Sequence, residues 1–379
     1  MIYLDNGATT FPKPPQVISA VGEALKSYSA NPGRSGHKLS LRASQEIYNC
    51  RLKLAEMFGI SKEENVIFTQ NCTHGINTVL HGYLKEGDHV VISNLEHNSV
   101  TRPLTELANK GITFTQAQVY AGNIDATLNS FKNAINEKTK LIVCTHASNV
   151  FGIRIPVHQI ASLCHQYGIK VLVDGAQSAG VLPINVEKMG IDFLALAGHK
   201  GLYGPMGTGV LIMQEPNDLA SLSQGGTGSS SASYSHPNIM PDKFESGTPN
   251  LPGIVGLSKG IDFIKKNKID NIAAHEINLV QRLYNKLIQI DKIILYTPYP
   301  VIEDSVPVVS FNVKGIESEG VADYLNRKYD IATRAGLHCA PSAHIFMNTL
   351  DTGTVRISPS FFNTAAQIDT LVEALVKIK

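Results

Sequence analysis

The sequence predicts an α/β protein, with a mostly parallel sheet in a large domain followed by a smaller α+β domain. Three observations lead there. Short β-branched apolar runs alternate with longer helical stretches up to about Leu251. Beyond that point the pattern changes to one long helical region and then separate short strands. Apolar residues make up 43% of 379 residues, enough for a sizeable core, so disorder is excluded as the default. The length fits two or three domains, or one large α/β domain with an appendage.

The elements follow in order. Strands are expected at Val66–Thr69, His89–Ser93, Leu141–Thr145, Val171–Asp174, Phe193–Ala197 and Gly209–Met213. Stretches such as Ser99–Lys110 and Val157–Tyr167 can hold helices between them. Strand–helix–strand order favours parallel strands covered on both faces. Ligands of such sheets sit at the carboxyl ends of the strands. Gly225–Ser235 is a Gly/Ser loop too poor in apolar residues to pack by itself. Ile254–Ile290 reads as a long helical region, and Val308–Val313, Ile331–Thr333 and Val355–Ser358 as strands. The chain closes with a helix. Thr364 and Gln367 form a capping box, and Ile368, Leu371, Val372, Leu375 and Val376 repeat at helical spacing.

Composition removes several functions. Lys plus Arg is 33 against 32 Asp plus Glu, which argues against nucleic acid or an anionic membrane as the main partner. No apolar run approaches the ~20 residues that span a bilayer. Met1–Pro15 lacks a charged-then-apolar leader pattern. The five cysteines form no CxxC pair. These features predict a reduced, cytoplasmic protein without a structural zinc.

Four clusters carry chemistry. Asp174-Gly175-Ala176-Gln177 ends one apolar strand, and Gly198-His199-Lys200 follows another. An acid and a lysine at two strand ends suit pyridoxal phosphate: the lysine as covalent anchor, the acid holding the pyridine nitrogen protonated. The plainer alternative is two surface charges at ordinary strand ends. Thr69–Asn77 lies between a strand and a helix, where hydroxyls and free N–H groups bind phosphate or simply cap the helix. Glu96-His97-Asn98 offers a histidine to lie over an aromatic cofactor or act as acid and base, or merely a hydrogen-bonded buried histidine. In Arg334–Pro341, Cys339 sits beside His338 and near Arg334, a setting that can make a thiol reactive. The other cysteines read as small apolar fillers. Arg356, in the strand-like Thr354–Ser358, either forms a salt bridge or clamps a carboxylate. Gly204–Gly209 runs into a strand rather than from strand to helix, so it is not a dinucleotide loop.

Taken together these segments resemble the class V aminotransferase family of fold-type I pyridoxal phosphate enzymes, and within it the cysteine desulfurases and selenocysteine lyases. The resemblance spans essentially the whole chain. It is carried by Tyr3–Thr10, Glu96-His97, His146–Asn149, Asp174–Gln177, Gly198–Lys200, Phe244–Asn250 and Arg334–Cys339.

What the resemblance implies is specific. Pyridoxal 5'-phosphate is bound covalently to Lys200. Asp174 pairs with the pyridinium, Gln177 with the ring hydroxyl, and His97 stacks on the ring. Thr73, the backbone of His74, and His199 hold the phosphate, with Thr248 reaching across from a second subunit of a homodimer. Asn149 and Arg356 bind the substrate carboxylate. Cys339 takes sulfur from L-cysteine as a persulfide, L-alanine leaves, and an acceptor protein receives the sulfur. The short loop after Cys339 resembles the desulfurases that serve a dedicated acceptor. Residues 1–15 form an N-terminal segment packing with the small domain, 16–255 the cofactor-binding domain, and 256–379 the small domain with the cysteine loop. Ala197 stands where the family often has a serine phosphate ligand, so either cofactor binding is expected to be weaker or a hydroxyl such as Thr73 to compensate. The alternatives are a selenocysteine lyase, an aminotransferase or racemase with no use for Cys339, and a sulfur-carrying or regulatory protein with a degenerate cofactor site.

Overall fold

The computed structural model describes residues 1–33 and 35–378. Its strands are β1 (Ile2–Tyr3), β2 (Val66–Thr69), β3 (His89–Ser93), β4 (Thr113–Ala117), β5 (Thr139–Thr145), β6 (Lys170–Asp174), β7 (Phe193–Ala197), β8 (Gly209–Met213), β9 (Ile293–Leu295), β10 (Val309–Val313), β11 (Ile331–Ala332) and β12 (Val355–Ile357). Its helices are α1 (Pro15–Ser27), α2 (Lys38–Phe58), α3 (Cys72–Tyr83), α4 (Asn98–Ala108), α5 (Ile124–Ala134), α6 (Val157–Gln166), α7 (Val186–Met189), α8 (Leu251–Asn267), α9 (Ile269–Leu287), α10 (Ser318–Tyr329), α11 (Pro341–Phe346) and α12 (Ala365–Lys377).

The main sheet has the order β2-β8-β7-β6-β5-β3-β4. It is mostly parallel, as the strand–helix alternation predicts; β8 alone runs antiparallel to its neighbours β2 and β7. The side chains alternate between two cores. Ile142, Val171, Val173, Leu194 and Leu196 enter one, and Leu141, Val143, Leu172, Phe193 and Ala195 the other. Both faces are therefore dry, which is why these strands read as continuous apolar runs. Register places Thr145 opposite Asp174, and Asp174 opposite Ala195. The ends of β3, β5, β6 and β7 thus share one edge of the sheet, and the chemistry gathers there.

A smaller antiparallel sheet, β12-β10-β9, packs Val309, Phe311, Val355 and Ile357 against Leu283, Leu287, Leu371 and Leu375 of α9 and α12. The start of the chain joins it: β1 pairs with β11, and Leu4 is buried in the same core. The capping box of Thr364 and Gln367 starts α12 as its sequence predicts.

Two local readings change. The long helical region is two helices, because Lys268 adopts a left-handed φ of 65° between α8 and α9. Helical periodicity continues across this single turn, so the pattern does not reveal the break. The edge strand β4 went unread because Thr113-Phe114-Thr115-Gln116 is largely exposed and has no apolar run. Among the described residues, no helix is long and apolar enough to cross a membrane.

Candidate active site

Lys200 follows β7 and lies half-buried against a cavity of about 230 Å³. Burial lowers the pKa of its amine. The Asp174 carboxylate pulls it back up, and the Arg356 guanidinium pushes it further down. Covalent chemistry at a lysine needs the neutral amine, and burial shifts the equilibrium in that direction. The chain start fixes its backbone. Thr10 Oγ1 donates to the Lys200 carbonyl at 2.5 Å. The His199 carbonyl accepts from Lys13 Nζ at 2.7 Å and from the Thr10 N–H at 3.1 Å. Desolvation brings the Lys13 amine down to about 8.

Asp174 ends β6 and is 3% exposed. Its Oδ1 accepts from the Ala176 N–H at 2.9 Å and from the Cys72 thiol at 3.3 Å; Oδ2 accepts from Ser99 Oγ at 3.5 Å. Cys72 is therefore more than an apolar filler. The sequence carries no local signal of this contact, which joins α3 to β6. Cys50, Cys144 and Cys164 are buried in the core as their patterns predict, while Cys339 is exposed.

Asn71 caps α3 by accepting from the His74 N–H at 2.9 Å. The His74 N–H expected at a phosphate is thus engaged by the cap, leaving the N–H groups of Cys72 and Thr73 as the helix-start donors without an intrahelical acceptor. Thr73 lines the cavity, as do Ala197 and His199. Among the described residues the buried Nδ1 of His199 has no partner, and burial lowers the imidazole pKa to about 4. His97 caps α4, its Nδ1 accepting from the Ser99 N–H at 3.0 Å. That bond leaves the proton on Nε2, and burial lowers the imidazole pKa. Glu96 is fully buried beside it. Its Oε1 accepts from Ser93 Oγ and from the Thr145 N–H, Oε2 has no partner among the described residues, and burial raises the Glu96 pKa to about 8.

Gln177 lines the cavity and donates from Nε2 to the Gly7 carbonyl at 3.0 Å. Arg356 is 1% exposed and pairs with Asp5 at 2.7 Å. Its Nη1 donates to the Asn149 carbonyl at 2.8 Å, and its Nε has no partner among the described residues. Of the two sequence alternatives for Arg356, the salt bridge is present, and the guanidinium also lines the cavity. Asp5 belongs to the opening motif, but its partnership with Arg356 is a contact between the two ends of the chain. Arg334 and Cys339 complete the lining, with Arg334 Nη2 3.9 Å from Cys339 Sγ.

The structure therefore gathers Lys200, Asp174, Gln177, His97, Thr73, His199, Asn149, Arg356 and Cys339 around one cavity. His74 and Thr248 lie instead on a neighbouring cavity of about 310 Å³. The loop bearing Thr248 is held by Glu245, which accepts from Arg51 Nη1 and Nη2 at 2.9 and 2.8 Å and from the Phe68 N–H at 2.7 Å. Among the described residues, no group of three or more His, Cys, Asp or Glu could hold a metal ion.

A family model described as Aminotransferase class-V matches residues 2–371. The chain is 34% identical over 383 aligned positions to a probable cysteine desulfurase of Methanothermobacter thermautotrophicus, covering 100% of this chain and 94% of that one. It is 32% identical over 389 positions to a cysteine desulfurase of Escherichia coli O157:H7, covering 100% and 93%. Among solved structures it is similar to the apo form of a cysteine desulfurase from Thermococcus onnurineus NA1, with a TM-score of 0.92, 33% identity, and 99% and 94% of the two chains covered.

Proposed function

The chain belongs to the class V aminotransferase family, and we propose that it is a cysteine desulfurase that moves sulfur from L-cysteine to Cys339 and leaves L-alanine. The observation that carries this reading is an exposed thiol, Cys339, on the same cavity as Lys200 and Asp174. An aminotransferase or racemase would need the last two and have no use for the first.

The cavity suits pyridoxal phosphate. A buried carboxylate, a desolvated lysine amine and the His199 side chain line one space. Lys200 would anchor the group, Asp174 the pyridine nitrogen, and Gln177 the ring hydroxyl, with His97 over the ring. Thr73 and His199 would hold the phosphate, and the Thr73 hydroxyl makes up for Ala197. When bound, the cofactor supplies an electron sink for negative charge at the substrate's α-carbon.

The chain's own residues do the rest. Arg356 and Asn149 fix the substrate carboxylate, which orients its side chain toward Cys339. Lys200, whose amine pKa is lowered by desolvation, takes the α-proton and returns one to carbon. The Cys339 thiolate bonds to the substrate sulfur as the carbon–sulfur bond breaks, its electron pair remaining on carbon. Overall, L-cysteine and a thiol become L-alanine and a persulfide, and a sulfur-acceptor protein or an added thiol clears the persulfide. Thr248 is exposed and not on the Lys200 cavity of its own subunit, which supports its serving a second subunit of a homodimer.

Purified protein given L-cysteine and dithiothreitol tests the reading. Equal yields of sulfide and alanine are expected, with sulfide lost in Cys339→Ala. Alanine-side chemistry unaffected by that substitution would sink it.

A further inference from the structure

The loop that carries Cys339 is held in an unusual backbone conformation. His338 and Cys339 are consecutive non-glycine residues with φ of 50° and 58°. L-residues rarely adopt this left-handed region, and two in succession persist only where the surroundings over-determine them. The surroundings here can be named. Asn149 Nδ2 donates to the His338 carbonyl at 2.7 Å. The Asn98 N–H, at the start of α4, donates to the Cys339 carbonyl at 2.7 Å. His338 itself is buried, with Nε2 against the Thr354 carbonyl at 3.0 Å. Both carbonyls flanking the nucleophile's backbone are therefore pinned to the main sheet's loops.

Asn149 has a second attachment. Its own carbonyl accepts from Arg356 Nη1 at 2.8 Å. One residue thus touches the guanidinium that awaits the substrate carboxylate and the loop that presents the thiol. The amide nitrogen carries two hydrogens. One is committed to His338, and the other is left for a ligand in the cavity that Asn149 lines.

We infer that Asn149 is a positioning residue for the nucleophile: with the Asn98 N–H it locks the His338–Cys339 turn, and so ties the placing of the thiol to the carboxylate-binding Arg356. This rests on the reading of Cys339 as the sulfur acceptor, and it adds a duty to Asn149 that carboxylate binding alone does not require.

Hydrogen exchange by mass spectrometry on the cofactor-free protein tests the lock without turnover. Asn149→Ala is expected to speed exchange across residues 336–340 about tenfold while α12 exchanges as in the wild type. Asn98→Pro removes the other pin. Asn98 is the first residue of α4, where proline is tolerated, and His97 before it already has the extended φ of −74° and ψ of 157° that proline demands. It too is expected to speed exchange in 336–340, and in the loaded enzyme to lower kcat for sulfide about tenfold with KM for L-cysteine within twofold. Loop exchange within threefold of wild type in both variants overturns the inference, and so does an Asn149→Ala effect confined to KM. If Asn149→Ala fails to fold by circular dichroism, Asn98→Pro decides alone. Wild-type protein that makes no sulfide would remove the desulfurase reading, and the exchange result would still judge the lock.

Discussion

Asp5→Asn separates two effects that usually move together. Asp5 and Arg356 lie 2.7 Å apart, with the arginine 1% exposed and the aspartate 20%. The substitution keeps an oxygen to accept from Nη2 and removes the charge. Two unit charges about 4 Å apart at an effective dielectric of about 20 attract by about 4 kcal/mol. The aspartate's partial exposure returns some of this as hydration, so a loss of about 2 kcal/mol is expected, below the ~3–5 kcal/mol of breaking a fully buried pair. With a urea slope of about 3 kcal/mol per M, the midpoint falls by about 0.7 M. The same change leaves the Arg356 guanidinium without its counter-charge while it lines the cavity. A substrate carboxylate then gains what Asp5 gave up. Recovery of about 1.4 kcal/mol is tenfold tighter binding. The variant is therefore expected to be less stable and to bind L-cysteine more tightly, read by urea unfolding and by KM. An unchanged midpoint would show the pair to be worth nothing. A raised KM would show that Asp5 aims Arg356 rather than competing for it.

Three further outcomes are expected. Iodoacetamide under native conditions should label one thiol, Cys339, because the other four are buried and burial pushes Cys50 and Cys164 up to about 12; a second labelled cysteine in the peptide map would contradict the burial. Glu96 has a folded-state pKa raised to about 8, so the stability it supports is complete below the unfolded carboxyl value of about 4.3 and is lost as pH rises toward 8. Glu96→Gln should make the fall in urea midpoint between pH 5 and pH 8 shallower without abolishing it, since Glu276 is raised to about 8 by the same burial; an unaltered slope would count against a protonated Glu96. Lys13→Met removes the Nζ donor to the His199 carbonyl, one of several donors holding the backbone beside Lys200, and should slow capture of added pyridoxal phosphate several-fold in an absorbance assay; wild-type capture would leave Lys13 with no part in setting Lys200.

Much of this was legible in the chain. The strand runs Val171–Asp174 and Phe193–Ala197 announce a doubly covered sheet, because both faces meet apolar cores and every residue must be apolar. Asp174 ends a strand and His97 and Lys200 stand just past strand ends, so the edge they share follows from parallel pairing alone. The Thr364–Gln367 box is local hydrogen bonding between near neighbours, and such signals survive in sequence. The strand β4 and the α8–α9 break were not legible. An edge strand needs no apolar pattern, and one left-handed residue does not interrupt a helical period.

By itself the sequence determined the sheet, the cofactor-class residues at its edge, and a cysteine set apart from the other four by its polar loop. Tertiary structure alone decided which of these meet. That Asp5 pairs with Arg356, that the Cys72 thiol donates to Asp174, and that Asn149 holds the His338 carbonyl are contacts between segments far apart in the chain. No local pattern encodes them. Each depends on where packing of the two sheets brings the loops, and a polar group buried there is kept only when a partner arrives with it.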